Sequence, residues 1–214
     1  GERLFYIFFD CADLVNPQQP VANYFQQQFG LSVLCVEVIH SVLSYGIVIQ
    51  DCVHGWKIVY SGDTRPCESL SKLGQHALLA LHEATLEDSM AVEAYNKAHC
   101  TTSEALSVCV KHMRAFRTLL THFSQRYPRA PPSKDIEILQ RHSSAAAACD
   151  FMRINFADIR SLPSTTRNLS LLFPDQDENE ESENNADDLH NDEEHDDNEN
   201  HQKPRNLEQK EPTS

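Results

Sequence analysis

The sequence lacks most of the signatures that announce an activity. Its six glycines build no phosphate-cradling loop and no Gly-x-Ser-x-Gly elbow, so nucleotide-binding and serine-hydrolase chemistry have no local support. Seven cysteines (Cys11, Cys35, Cys52, Cys67, Cys100, Cys109 and Cys149) form no CxxC pair, which removes a zinc ribbon, and an odd number cannot all pair within one chain. Scattered thiols suit a reducing compartment. An intracellular protein is expected, with nucleus, cytosol and mitochondrion all open. Long apolar runs are missing too: residues 4–9 are too short for a signal core, and nothing approaches the roughly 20 apolar residues of a membrane span. Basic patches interleaved with aromatics are absent, and oligomeric state leaves no trace.

Positive charge is scarce, with 18 Lys and Arg against 32 Asp and Glu and a formal net charge of −14. The deficit is local. Residues 174–214 hold 16 of the acidic and 3 of the basic side chains, so this tail carries −13 and the rest is nearly neutral. The low pI describes an appendage and neither favours nor excludes an RNA substrate for the folded part. With few apolar residues to offset its ordering entropy, the tail is expected to be disordered. The organisation read from composition is an ambiguous segment 1–32, a folded part 33–160, a linker 161–173 and the acidic tail 174–214.

The folded part alternates strand-like and helix-like texture. Residues 33–39, 46–50 and 56–60 are rich in β-branched and aromatic side chains and bounded by turn-like Tyr45-Gly46 and His54-Gly55, which predicts three successive strands. Residues 67–73 read as a short helix after Pro66, and the apolar runs 77–81 and 116–120 as buried strands. Thr101 or Thr102 is placed to cap a helix over 103–113. Residues 135–148 read as another helix, and 149–156 as a closing strand or extended segment. Strand, helix, strand, helix, strand is the pattern of an α/β layer, whose function gathers beyond strand ends.

Three segments fall at such ends. Asp63, in Ser61-Gly62-Asp63-Thr64-Arg65-Pro66, follows a strand that glycine allows to turn sharply; its carboxylate suits a cation as well as a turn or a cap. His122 follows the 116–120 run, where its imidazole suits zinc, although a lone histidine there is more often structural. His82-Glu83-Ala84-Thr85 follows the 78–81 run, and a carboxylate beside an imidazole orients the ring and raises its basicity. Arg65 and Arg126 flank these residues, and a guanidinium fork matches phosphate oxygens or a nearby carboxylate. The tail histidines His190, His195 and His201 sit among acidic residues and read as solvated low complexity.

Taken in order, the segments from Ser61, His82 and Thr121-His122-Phe123-Ser124-Gln125-Arg126-Tyr127 resemble the carboxyl-terminal motifs of tRNase Z, the zinc endonuclease family of the metallo-β-lactamase superfamily that trims the 3′ ends of precursor tRNAs. The resemblance runs over about 33–156, and His54-Gly55-Trp56-Lys57 and the acidic tail look more like the long eukaryotic form. It implies a metallo-β-lactamase αββα sandwich of which this chain supplies the carboxyl-terminal half. It also implies two zinc ions per complete site, bridged by Asp63, with His122 holding one. His99, in His99-Cys100-Thr101 where the family has His-Ser-Thr, would assist proton transfer, with Glu83 orienting it. Cys100 for Ser weakens a side-chain hydrogen bond of that loop. His40 resembles a histidine found at that point in the family and is a candidate for supporting the metal ligands or facing substrate, and the implied partner is precursor tRNA. The family's principal zinc-binding string, His-x-His-x-Asp-His, is absent from the sequence, and so is a further histidine ligand. A carboxyl-terminal fragment, inactive alone, is therefore expected. The competing readings are a related phosphodiesterase or thioesterase with another substrate, and a non-catalytic scaffold or binding domain.

Overall fold

The computed structural model describes residues 10–125 and 133–172. Among the described residues six strands lie side by side in sequence order: β1 (Leu31–Glu37), β2 (Tyr45–Asp51), β3 (Lys57–Tyr60), β4 (Leu79–Glu83), β5 (Arg117–Thr121) and β6 (Ala145–Ala147). The first three pair antiparallel, and β3 to β6 run parallel, so the ends of β3, β4 and β5 emerge at one rim.

Side-chain alternation gives the sheet two apolar faces. One face presents Val48, Val59 and Ala80, packed against Leu70, Val108, Cys109 and Met113. These come from α2 (Glu68–Leu73), from a π-helical turn, Ser107–His112, that continues α4 (Thr102–Leu106), and from Met113, which caps that turn. Further along the same face Leu120, Ala145 and Ala147 meet Cys100, Ala105, Leu106 and Leu139, the last on α5 (Ser133–Arg141). On the other face α1 (Pro20–Phe29) covers Val33 and Cys35, while Leu79, Leu119 and Ala146 pack on Ile159 and Leu162. A groove of about 460 Å³ remains there, lined by Ile58, Leu79, Leu81, Leu119, Met152 and Ile154 among others.

The segment read as ambiguous thus yields a helix. Pro20 sits in its first turn, where the missing N–H costs nothing, and Gly30 ends it in the left-handed conformation at φ 66°. Other expectations need correction. The helix expected over 135–148 stops at Arg141, and Ala145–Ala147 is the edge strand β6. Alanine favours helix by intrinsic propensity, but here three side chains no more than 1% exposed fit between two packed layers, and tertiary packing overrides the preference. The helix expected over 103–113 widens to π geometry at Ser107, with Met113 N–H donating to Val108 five residues back at 2.8 Å. Residues 149–156, read as a closing strand or an extended segment, form no strand: they turn at Asp150 and Phe151 and run on without regular structure to Asn155. The stretch read as a linker is the helix α6 (Leu162–Leu172), with Leu162 and Thr166 buried. Residues 174–214 lie outside the described residues. No described helix is long and apolar enough to cross a membrane.

Candidate metal centre

The rim where β3, β4 and β5 end collects the candidate residues. Beyond β3 the Ser61 N–H continues the parallel ladder to Leu81 O at 3.0 Å, and the Ser61 hydroxyl accepts the Glu83 N–H at 2.9 Å. The chain then turns at Gly62 (φ 60°), where a Cβ would stand 2.6 Å from Tyr45 O; only glycine fits this approach. The turn sets Asp63 at the rim, with Oδ1 3.6 Å from His122 Nε2. His122 follows β5 in a left-handed conformation (φ 61°).

Glu83, 1% exposed at the end of β4, organises the centre. Its Oε1 accepts from Thr64 N–H at 2.8 Å and faces His99 Nδ1 at 2.9 Å; its Oε2 accepts from Thr85 N–H at 3.1 Å, the Thr85 hydroxyl at 2.7 Å and Cys100 N–H at 3.2 Å. A carboxylate only accepts, so His99 donates its Nδ1 proton to Glu83 and keeps a lone pair on Nε2. The single proton of the Thr85 hydroxyl goes to Glu83. His122 Nδ1, 2.8 Å from the same oxygen, is then the donor, and its Nε2 also carries a lone pair. The His99 and His122 rings stack with centroids 5.6 Å apart.

His99 is delivered by a loop after α3 (Ala91–Asn96), whose residue Ala98 adopts φ 57°. Arg65 holds this loop. Its Nη1 donates to His99 O at 2.6 Å and to Glu104 Oε2 at 2.7 Å, its Nη2 to Glu104 Oε1, and the guanidinium lies 5.6 Å from the Tyr95 ring centroid. Of the two partners the sequence left open for Arg65, phosphate or a nearby carboxylate, its fork here meets a carboxylate, that of Glu104. The Cys100 thiol, fully buried, still donates to Thr64 O at 3.1 Å. Burial, with Glu83 and Glu104 nearby, pushes that thiol far above the ordinary range, so the donor proton stays on sulfur. His40 comes in from the loop after β1: its Nδ1 pairs with Ala98 O at 2.9 Å, and its ring centroid is 4.9 Å from that of His99. Arg126 lies outside the described residues.

His82 stands apart from these. It is 1% exposed, its Nδ1 pairs with Glu83 O at 2.7 Å, and its Nε2 has no partner. Burial lowers its pKa, which keeps the ring neutral. Among the described residues two groups at the rim have donor atoms within 4.8 Å of one another: His40, Asp63 and His99, and Glu83, His99 and His122. Imidazole nitrogens joined by a carboxylate are a donor set that zinc accepts, so the residues fit a share of such a site. Sequence reasoning missed Thr85 as the link between three side chains, and Glu104. The second had a signal, because Thr101-x-x-Glu104 is a capping box, formed here at the start of α4.

One sheet with its helical layer, and side chains gathered at the ends of parallel strands, make up half of the αββα sandwich of the metallo-β-lactamase fold. Within that class the chain resembles tRNase Z, also called ribonuclease Z, of the long eukaryotic form. It is 37% identical over 175 residues to a zinc phosphodiesterase ELAC protein 2 of Rattus norvegicus, covering 81% of this chain and 18% of that protein. It is 40% identical over 163 residues to ribonuclease Z 1 of Schizosaccharomyces pombe, covering 76% and 20%. The solved long-form RNase Z from yeast superposes with a TM-score of 0.59 at 29% identity, covering 72% of this chain and 21% of that one. The chain thus spans about a fifth of the length of these relatives. No protein-family model matches it.

Proposed function

We propose that this chain is the carboxyl-terminal part of a zinc-dependent endoribonuclease that removes the 3′ trailer from precursor tRNA. The observation that carries the reading is the cluster at the rim, where buried Glu83 fixes His99 beside an Asp63–His122 pair 3.6 Å apart, in a chain resembling tRNase Z. Asp63 and His122 would hold metal, with the remaining ligands supplied from outside this sequence. Zinc, when bound, acts as a Lewis acid and lowers the pKa of water.

The chain's own residues do the rest. Glu83 accepts the Nδ1 proton of His99, which fixes the ring and its tautomer. The protonated ring donates from Nε2 to the 3′ oxygen of the tRNA as the bond between phosphorus and that oxygen breaks, while the oxygen of the attacking water joins phosphorus and a proton of that water is released to solvent. Thr85 holds the His122 ring from behind through Nδ1. Arg65, tied to His99 O and Glu104, fixes the height of the His99 loop, while Arg126 is the remaining candidate for substrate phosphate. Structured RNA is recognised through shape and backbone, here by parts beyond this chain.

The test compares trailer cleavage by this chain and by the protein extended upstream through a His-x-His-x-Asp-His string. Cleavage with about two zinc ions in the extended protein only, lost on Asp63→Ala or His122→Ala, is the expected result. An extended, folded protein that leaves precursor tRNA intact overturns the proposal and favours a non-catalytic binding role.

A further inference from the structure

The three residues His40, Asp63 and His99 are brought together from the loop after β1, the turn after β3 and the loop after α3, with one donor atom of each within 4.8 Å of the others. Both imidazoles have Nδ1 held within the protein, which leaves Nε2 as the nitrogen free to ligate. His40 Nδ1 is tied to a backbone carbonyl, Ala98 O, at 2.9 Å, and His99 Nδ1 to the Glu83 carboxylate at 2.9 Å. Histidines that ligate metals almost always donate their other ring N–H to a carbonyl or a carboxylate, which fixes the tautomer and the ring plane. Here two rings have that arrangement, and a third contribution comes from an anionic oxygen.

The neighbouring group, Glu83, His99 and His122, is a poorer cage. Both Glu83 oxygens are spent on the N–H groups of Thr64, Thr85 and Cys100, the Thr85 hydroxyl and the His99 ring. Drawing Glu83 onto a cation would strip buried donors of their acceptor.

We infer that His40, Asp63 and His99 form a mononuclear site for a divalent transition metal, zinc or cobalt, within this chain alone. The set differs from the one proposed for the complete enzyme, which pairs Asp63 with His122. Two imidazoles and one carboxylate, with a position left for water, match a known class of three-ligand zinc site. Donors bound at about 2.0–2.1 Å around a tetrahedron lie about 3.3 Å apart, so the three loops would draw together on metal uptake. A metal on His99 Nε2 occupies the atom that would carry the proton, so filling this site and proton delivery exclude one another.

The test uses the full chain titrated with Co2+ and read by its visible d–d absorption, with Zn2+ competition. It involves no RNA, so its outcome is separate from that of the cleavage assay. One Co2+ per chain is expected, with affinity reduced about tenfold or more in His40→Gln and in His99→Gln, and retained in His122→Gln. It is also retained when His190, His195 and His201 are all changed to Gln. In the unmodified chain, Zn2+ is expected to move the imidazole NMR signals of His40 and His99 together, a readout that needs no variant to fold. Absence of binding by the folded chain overturns the inference. So does unchanged affinity in His40→Gln, equal loss in His122→Gln, or loss with the tail histidines.

Discussion

The Thr85 hydroxyl lies 2.8 Å from His122 Nδ1 and 2.7 Å from Glu83 Oε2, joining the ends of β4 and β5 through one oxygen. Because its only proton goes to the carboxylate, the hydroxyl sets the tautomer of His122. Thr85→Val keeps the shape and removes the link. In the extended protein this change is expected to weaken zinc retention about 10- to 100-fold, as measured by competition with a chelator, and Thr85→Ser is expected to restore it.

Arg65 spans from the β3 turn to α4, and its side chain is only 16% exposed where it meets Glu104. Cutting it back leaves His99 O and the Glu104 carboxylate without the guanidinium, although Glu104 keeps the Thr101 N–H at 3.0 Å. Arg65→Ala should cost about 2 kcal/mol in urea unfolding, since hydrogen bonds to charged groups contribute about 1.5–3 kcal/mol. Arg65→Lys recovers only part of this, because an ammonium cannot reproduce the two-pronged contact.

Asp135, 2% exposed in the first turn of α5, has its carboxyl pushed up to about 6 by burial, against the Thr102 hydroxyl that donates to it and with Asp88 and Glu87 adding to the rise. A raised native value means the folded state binds more protons than the unfolded one between the ordinary carboxylate value and about 6. The stability Asp135 confers is therefore full at the acid end of that window and falls as pH rises through it. Asp135→Asn, which can still accept from Thr102, should match the wild type near the acid end and exceed it by about 1–2 kcal/mol above pH 7, in denaturation curves at the two pH values.

The thiols should divide by burial. Cys52 and Cys149 are exposed, whereas Cys35 and Cys109 are buried and pushed up to about 12, mainly by desolvation. A thiol reagent under native conditions is expected to label Cys52 and Cys149 first, as mass spectrometry of the peptides would show, and to reach Cys35, Cys100 and Cys109 only after unfolding.

Much of this site could be read from the sequence because strand ends are visible there. β-branched runs closed by Gly62 or followed by His122 mark where a sheet stops, and parallel pairing of β3, β4 and β5 then brings Asp63, Glu83 and His122 to one rim. Even so, β4 runs two residues past the expected 77–81, so His82 and Glu83 lie inside the strand rather than after it. The inward turn of Arg65 was out of reach, since its partner Glu104 is 39 residues away and no local pattern ties them. Strand β6 was hidden for a different reason: alanine has no strand signature, and its placement depends on the space between Leu120, Leu139, Ile159 and Leu162. Helix α6 was masked by the Ser, Thr and Pro content that makes 161–173 look like a connector.

That helix also governs how the sheet meets its surroundings. On β6, the Ala147 N–H is taken by the Thr166 hydroxyl at 3.1 Å and the Ala145 N–H by His142 O at 3.2 Å. An edge with satisfied donors offers no template to another strand. At this margin of the sheet a hydroxyl from α6 takes up a donor that an incoming strand would need, which makes β6 a poorer template for strand addition than a bare edge.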